Sequence, residues 1–382
     1  MKHTAFAVAF LLLSSPAFAQ FGNLGEITKR ADQAKKAFDA VNISEKDERA
    51  LGESVSQKLI DRFGIYQDPA VTKYVTLVGT MLVQQSSRPN LDWKFIVVDS
   101  EGVNAYAAPG GLVHITKGAL GLIKSESELA GVLAHELAHV TEKHTMKAIR
   151  KGKLVDVGTD AAGSQAGGLT GAVLNQMADA SYSILFENKF DRDDENEADR
   201  VGAAFAHKAG YSPTGLIEFL QHLKARNKDT KEPNGLFASH PQLEERVSDI
   251  NKAIKNNRLT STATVQPRYA KVITFDAKPV TEVPTVEAGT RGVAGASSST
   301  AKPDQKKEAE KKEDANKKSS SGISRFAGAL TGGKQNESTQ TSASGAGRMI
   351  GPDNNATGGS NKTPVRVTIT AADIAEFKKG IA

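Results

Sequence analysis

The sequence predicts an α+β domain that is mainly helical, with a small β-sheet, followed by a disordered C-terminal extension. Residues 44–262 contain several helix-start signals followed by apolar residues at helical spacing. Two short runs in the same region are rich in β-branched and aromatic residues, which favours strands. Residues 295–362 are instead rich in Ser, Gly, Lys, Glu and Asn, so they cannot bury enough apolar surface to fold.

Helix-start residues mark the first elements of the domain. Ser44 is followed by Glu45 and Asp47, as expected for an N-cap with acidic residues in the first turn. Ser125 with Glu128 three residues later forms a capping box. The run "WKFIVV" and a run after a Pro-Gly-Gly break are strand-like. The predicted elements are helices over residues 45–63 and 69–84, strands over 93–98 and 112–116, and a helix from residue 126 onward.

Two further strands are predicted after residue 262. Residues 271–275 ("KVITF") form one, and residues 365–369 form the other, before a short helix that carries Ile374 and Phe377. This tail is expected to dock either on the core or on a partner. The predicted organisation is a signal peptide over residues 1–19, a folded domain over 20–262, an extended segment over 263–294, a disordered linker over 295–362 and a strand-helix tail over 363–382.

Composition argues against several classes of protein. The net charge of +5 is small and dispersed, and no patch combines basic with aromatic residues, so nucleic acid is not an expected partner. The chain has no cysteine, which excludes disulfides. No later stretch reaches the roughly 18 to 20 apolar residues that a membrane-spanning helix needs.

The N-terminus has the pattern of a secretory signal peptide. Lys2 provides a positive start, residues 5–13 are apolar, and Ala17-Phe18-Ala19 matches a cleavage site. The alternative, a membrane anchor, is disfavoured because the apolar run is too short to span a bilayer. We expect cleavage after Ala19 and a location in the periplasm, with secretion as the alternative.

Residues 135–139 read HELAH and form an HExxH motif. Because a helix turns by about 100° per residue, His135 and His139 leave the same face, about 40° apart. Two neutral imidazoles at this spacing can bind one Zn²⁺. Glu136 is offset from the two histidines, so it can act as the general base toward water at the open coordination position.

A third ligand is predicted in the downstream sequence "ENEAD". Glu195 and Asp199 lie four residues apart and therefore share a helix face. Glu195 is the expected third ligand, and Asp199 is expected to accept a hydrogen bond from a ligating imidazole and fix its tautomer. Gly202 and Ala206 continue this face and would let the helix pack close to the first one.

The two motifs resemble those of the gluzincin metallopeptidases that combine HExxH with ExxxD. That family includes the CAAX-prenyl endopeptidases, the HtpX proteases and soluble periplasmic proteases of the BepA and LoiP type. Residues 104–120 also resemble the strand that borders the family's substrate cleft, and residues 209–213 and 238–241 match family positions. The resemblance covers about residues 43–254, and the soluble periplasmic branch is the closer match because no spanning helix is predicted.

The resemblance implies a mainly helical zincin-like fold with one Zn²⁺ per chain. It also implies that the substrates are misfolded or stalled envelope and outer-membrane proteins. His240 matches a family histidine near the active site. Its expected role is to stabilise the oxyanion, with capping of the metal in a resting state as the alternative and a surface loop histidine as the simplest interpretation.

Other residues near the motif are assigned structural roles. His144 lies about 180° from His135 on the predicted helix, opposite the metal face, so it is predicted to be structural. His114 lies in the segment that resembles the cleft strand and is also predicted to be structural. Residues 158–172 are glycine-rich and form either a lid or a permissive loop.

The sequence therefore predicts an exported zinc endopeptidase for protein quality control. The expected partners are unfolded or misassembled substrate proteins, with the C-terminal extension as a candidate contact for envelope assembly machinery. One rival function is a chaperone-like assembly factor that retains a latched, largely inactive protease fold. A second rival is a scaffold that acts through its polar extension.

Overall fold

A computed structural model describes residues 43–151, 171–186, 190–228, 243–283 and 361–381. The predicted signal peptide, His240 and most of residues 158–172 and 295–362 lie outside these ranges. The described helices are α1 (Glu45–Phe63), α2 (Pro69–Val83), α3 (Lys117–Leu122), α4 (Glu126–Thr141), α5 (His144–Arg150), α6 (Gly171–Phe186), α7 (Arg192–Lys208), α8 (Gly215–Arg226), α9 (Leu243–Asn256), α10 (Gln266–Val272) and α11 (Ala371–Lys379). The strands are β1 (Lys94–Val98), β2 (Ala105–Ala108) and β3 (Leu112–Thr116). The predicted fold class, mainly helical with a small sheet, is confirmed.

The predicted caps explain where the first helices begin. The Ser44 Oγ accepts a hydrogen bond from the Asp47 amide at 3.1 Å. Helix α1 accordingly begins at Glu45, the residue after Ser44. The Asp68 carboxylate accepts from two amides at the start of α2. Ser125 caps α4 in the same way. Among the described helices, none is long and apolar enough to cross a membrane.

The sheet has the order β1-β3-β2, with β1 parallel and β2 antiparallel to β3. The segment expected to border a cleft thus contributes both the central strand β3 and the outer strand β2. β2 was not predicted as a strand, because a run of four residues is too short to show a clear alternating pattern. The hairpin turn needs glycine, since Gly110 and Gly111 have φ angles of 72° and 94°.

His114 therefore lies on a central strand and not at the cleft edge. Its ring is fully buried, and its Nε2 lies 2.8 Å from the Ser56 Oγ of α1. The neighbouring residues Val113 and Ile115 belong to the apolar cluster that contains α2 and α4, whereas Leu112 packs with α1 and α6. Because side chains alternate along a strand, His114 faces α1, away from α4, the helix that carries HELAH and is called the metal helix below.

The metal helix α4 lies at the centre of the fold. Every one of its residues is buried, and it packs against α2, α7, α8 and β2. Glycine at position 131 of this helix allows α8 to approach, because a Cβ there would lie 2.4 Å from the Leu216 amide nitrogen.

Two predicted strands are wrong. Residues 271 and 272 instead form the end of helix α10. This helix buries Tyr269 in the core, where the Tyr269 hydroxyl donates a hydrogen bond to the Leu120 carbonyl at 2.6 Å. Residues 365–369 have an alternating pattern but form no strand. The segment before them is held by single contacts such as the 2.7 Å hydrogen bond from the Ile65 amide to the Asn361 carbonyl.

The C-terminal helix α11 docks on the core. Phe377 is buried, and the Arg268 guanidinium lies 3.9 Å from the centroid of its ring. Arg268 also donates to the Phe377 carbonyl at 2.8 Å and to the Glu126 carboxylate at the start of α4. Lys73 of α2 pairs with Asp373 at 2.7 Å. The tail is therefore connected to the N-terminal end of the metal helix.

We predict that Phe377→Ala lowers the free energy of unfolding by about 2–4 kcal/mol, because it removes a buried aromatic ring. Urea denaturation of the full chain measures this. Glu376→Ala is the matched control on the same helix, since Glu376 is exposed and its ion-pair partner among the described residues is its helix neighbour Lys379; its effect should stay within about 0.5 kcal/mol. Equal stabilities of the two variants would contradict docking of the tail.

We also predict an acid-sensitive contribution from His114. Burial lowers the pKa of His114 to about 4, from about 6.5 in an unfolded chain. Between pH 4 and pH 6.5 the unfolded chain binds a proton that the folded protein does not bind. The contribution of His114 to the free energy of unfolding is therefore fully present above pH 6.5 and is lost as the pH drops. The loss at pH 5 relative to pH 7.5 is about 2 kcal/mol.

The test compares the wild type with His114→Gln at both pH values, by urea denaturation in the presence of EDTA. Gln retains a polar atom for Ser56, and any cost of the substitution itself cancels in the difference between the two pH values. The variant should lose about 2 kcal/mol less than the wild type on acidification. The same loss in both proteins would show that His114 is not the responsible group.

Candidate metal centre

The two histidines of HELAH lie next to each other on α4. Their Nε2 atoms are 3.0 Å apart, and both rings are buried. Glu136 follows His135 and is 1% exposed. The one-turn spacing thus places two imidazoles and a carboxylate side by side in the interior.

Helix α7 brings Glu195 to the same place. Its carboxylate oxygens lie 3.7 Å from the His135 Nε2 and 3.5 Å from the His139 Nε2. One ligand atom from each of these three residues lies within 4.8 Å of the others. A Cβ at Gly202 would lie 2.9 Å from the His135 amide nitrogen, so the predicted close approach of the two helices is confirmed.

The donor set fits a metal ion. Two imidazoles and one carboxylate are ligands that zinc prefers. The His135 Nδ1 lies 2.8 Å from the Asp199 Oδ1 and donates its proton to this carboxylate. The neutral ring then has its lone pair on Nε2, on the side where the three ligand atoms converge. The structure therefore brings together His135, His139, Glu195 and Asp199 in the predicted arrangement.

Arg246, which was not predicted to belong to the site, lies on α9 and is fully buried. Its Nε and Nη2 donate to both oxygens of Asp199 at 2.8 and 2.6 Å, and its Nη1 lies 3.3 Å from the Glu195 Oε2. Burial by itself would raise the pKa of Asp199, but the charge and hydrogen bonds of Arg246 hold that pKa well below its usual range. Arg246 lies four residues before the buried Ile250, and a charged residue on an apolar helix face was the available signal.

His144 was predicted to lie opposite the metal face, and this prediction is wrong. Helix α4 ends at Thr141, and Lys143 adopts a left-handed conformation with φ of 58° before α5 begins. This turn redirects the chain, so the His144 Nδ1 lies 2.9 Å from the Nδ1 of His139. His144 remains outside the group of three that could hold the ion. The predicted angle was wrong because the helix is interrupted between His139 and His144.

Phe190 was also not predicted. It lies just before α7 and stacks on the His139 ring, with the ring centroids 4.2 Å apart. The site is thus closed on this side by an aromatic ring. His240 and residues 158–170 lie outside the described residues, so their predicted roles remain predictions.

Residues 69–254, which include every residue of this site, match the family model described as Peptidase family M48. This part of the chain, just under half of its length, belongs to the M48 family. The predicted family resemblance is therefore confirmed, and the match extends from the start of α2 to residue 254 of α9.

Three curated relatives illustrate the range of proteins that the chain is similar to. It is 29% identical over 231 residues to a beta-barrel assembly-enhancing protease of Yersinia pestis, covering 57% of this chain and 46% of the relative. It is 26% identical over 221 residues to the metalloprotease LoiP of Escherichia coli, covering 56% and 83%. It is 25% identical over 208 residues to the mitochondrial metalloendopeptidase OMA1 of Schizosaccharomyces pombe, covering 54% and 60%. The chain spans about half the length of the assembly-enhancing proteases it matches.

We predict that Arg246→Met lowers the stability of the metal-free protein by about 3–5 kcal/mol, because it leaves buried carboxylates without their counter-charge. Urea denaturation in EDTA measures this. Arg192→Met is the matched control, since Arg192 pairs with Glu245 of the same helix α9 at 3.3 Å but is exposed. Its effect should be below about 1 kcal/mol. A similar, small effect of both substitutions would contradict the assigned role of Arg246.

Proposed function

We propose that this chain is an exported zinc-dependent endopeptidase that hydrolyses misfolded or stalled envelope proteins. One observation carries the proposal. His135, His139 and Glu195 converge from two helices, and Glu136 lies beside them on the same buried helix. In the proposed enzyme the three converging residues hold the ion.

A zinc ion at this site would polarise the scissile carbonyl and make water a better nucleophile. Glu136 takes a proton from the attacking water and delivers it to the nitrogen of the leaving amine. Asp199 keeps the Nδ1 proton on His135, and Arg246 keeps Asp199 ionised. His240 is proposed to donate a hydrogen bond to the oxyanion.

The substrate class and location are supported by the relatives and the N-terminal pattern. Several relatives are named beta-barrel assembly-enhancing proteases, which supports a role in outer-membrane protein quality control. The predicted signal peptide supports the periplasm, with secretion as the alternative. The proposed substrates are unfolded or misassembled outer-membrane proteins, and the C-terminal extension is a candidate contact for assembly machinery.

A chaperone-like function is the second candidate, favoured by the burial of the site. None of the four central residues is more than 3% exposed: His135, Glu136, His139 and Glu195. A substrate backbone can therefore reach them only after the protein atoms that cover them move. A protein that opens rarely would bind clients more often than it cuts them.

We predict that Glu136→Gln lowers casein hydrolysis by about 10²–10⁴-fold while the bound zinc stays at one ion per chain. Glu195→Gln should lose both zinc and activity, because a ligand is replaced by a weaker donor. Metal analysis and digestion assays on the purified full chain measure both quantities. The matched control is Glu142→Gln, which makes the same change just after α4 and should retain zinc and activity.

Each alternative gives a different result. A chaperone would keep its cellular role in the Glu136→Gln variant, whereas a protease would lose it. A scaffold would lose its role when residues 295–350 are deleted, a change that leaves the docked helix α11 in place. Full zinc content in the Glu195→Gln variant would exclude the proposed ligand set.

A further inference from the structure

A second group of metal-binding residue types lies next to the first. His144, Asp194 and Glu197 have ligand atoms within 4.8 Å of one another, and the first two are buried. Its member His144 contacts the His139 ring at Nδ1, whereas the proposed zinc ligands lie near Nε2 of that ring. The composition of the group suggests a second metal site. The proton positions that metal binding would impose on His139 and His144 indicate another role.

The contacts form a chain that begins at His139. Its Nε2 faces His135 and Glu195, and its Nδ1 lies 2.9 Å from the Nδ1 of His144. The other nitrogen of His144, Nε2, lies 3.1 Å from the Glu197 Oε2. Both nitrogens of His144 therefore have a partner, one an imidazole and the other a carboxylate.

Metal binding by His139 determines where each proton lies. A neutral imidazole that gives its Nε2 lone pair to an ion carries its proton on Nδ1. That N–H donates to the His144 Nδ1, which must then be the acceptor. The proton of neutral His144 is consequently on Nε2, from which it donates to Glu197. Every donor in this arrangement faces an acceptor.

A second ion on His144 conflicts with this arrangement. It would need the Nε2 lone pair, so the His144 proton would move to Nδ1 and face the Nδ1–H of His139 at 2.9 Å. The acids of the group also have lysine partners already. Lys147 lies 3.1 Å from Glu197, and Lys151 lies 3.7 Å from Asp194. The group is therefore not a second metal site when the first is loaded.

We propose that His144 is a positioning residue, anchored by Glu197, that fixes the tautomer and ring orientation of the zinc ligand His139. This inference rests on the proposed metal site. His144 acts on His139 as Asp199 acts on His135, but through a neutral ring and not through a carboxylate. The left-handed turn at Lys143 allows this, because it reverses the chain immediately after α4.

The test is the zinc affinity of the purified full chain, measured by competition with a chromophoric chelator. His144→Phe keeps a ring of similar size without the acceptor and should raise the zinc Kd by about 10–100-fold. His144→Asn places an amide oxygen near the position of Nδ1 and should recover most of this loss. His222→Phe is the control, since His222 lies on α8 and contacts Glu128, and its zinc Kd should be unchanged.

Glu197→Leu provides an independent variant if His144→Phe folds poorly. It removes the acceptor for the His144 Nε2–H, so the ring can take the other tautomer, and the zinc Kd should rise by up to about 10-fold. Thermal unfolding in EDTA shows whether each metal-free variant is folded. Folded variants with weakened zinc binding support the proposal.

Three results would overturn this inference while leaving the proposed function intact. Wild-type zinc affinity in both folded His144→Phe and Glu197→Leu would show that His139 needs no such partner. Equal losses in His144→Phe and His144→Asn would show that the acceptor is not what matters. Two zinc ions in the wild type and one in His144→Phe would identify a second metal site. A wild type that binds no zinc would instead refute the proposed function, together with this inference.

Discussion

The site depends on the close approach of α4 and α7. Gly202 contacts the backbone at His135, and only a residue without a Cβ fits there. This contact places the Glu195 carboxylate within 4 Å of both imidazoles, although the two motifs are separated by some sixty positions. A larger side chain at position 202 would move the carboxylate away from the histidines, since helix packing distances depend on the side chains at the contact.

Burying this many polar groups requires a partner for each of them. An ion pair in the interior is stable only with good geometry and further hydrogen bonds. Arg246 satisfies both oxygens of Asp199, and Asp199 in turn orients His135. On the other ligand, His144 occupies the corresponding position behind His139. Both imidazoles are contacted at Nδ1, and this orients their Nε2 atoms toward Glu195.

The metal helix is also held at both ends. At its N-terminal end, Glu126 accepts hydrogen bonds from Tyr74, Tyr211 and Arg268, and Arg268 connects it to the C-terminal helix. At its C-terminal end, the turn at Lys143 returns the chain against His139. A helix fixed in this way supports precise ligand positions, because rigid elements hold a site better than loops do. Any opening for a substrate is therefore expected in the surrounding segments and not in α4.

The sequence by itself was enough to predict the candidate ligands, since the spacing within HExxH and within ExxxD places the residues of each motif on one helix face. It also determined the starts of α1 and α4, because a cap acts within its own turn. Only the tertiary structure decided that Arg246 meets Asp199, that β3 is central, that residues 266–272 are helical and that the tail docks on the core. These features depend on packing between segments far apart in the chain. The position of His144 depended on a single left-handed residue, Lys143, because the angles that helical periodicity predicts no longer apply beyond a break in the helix.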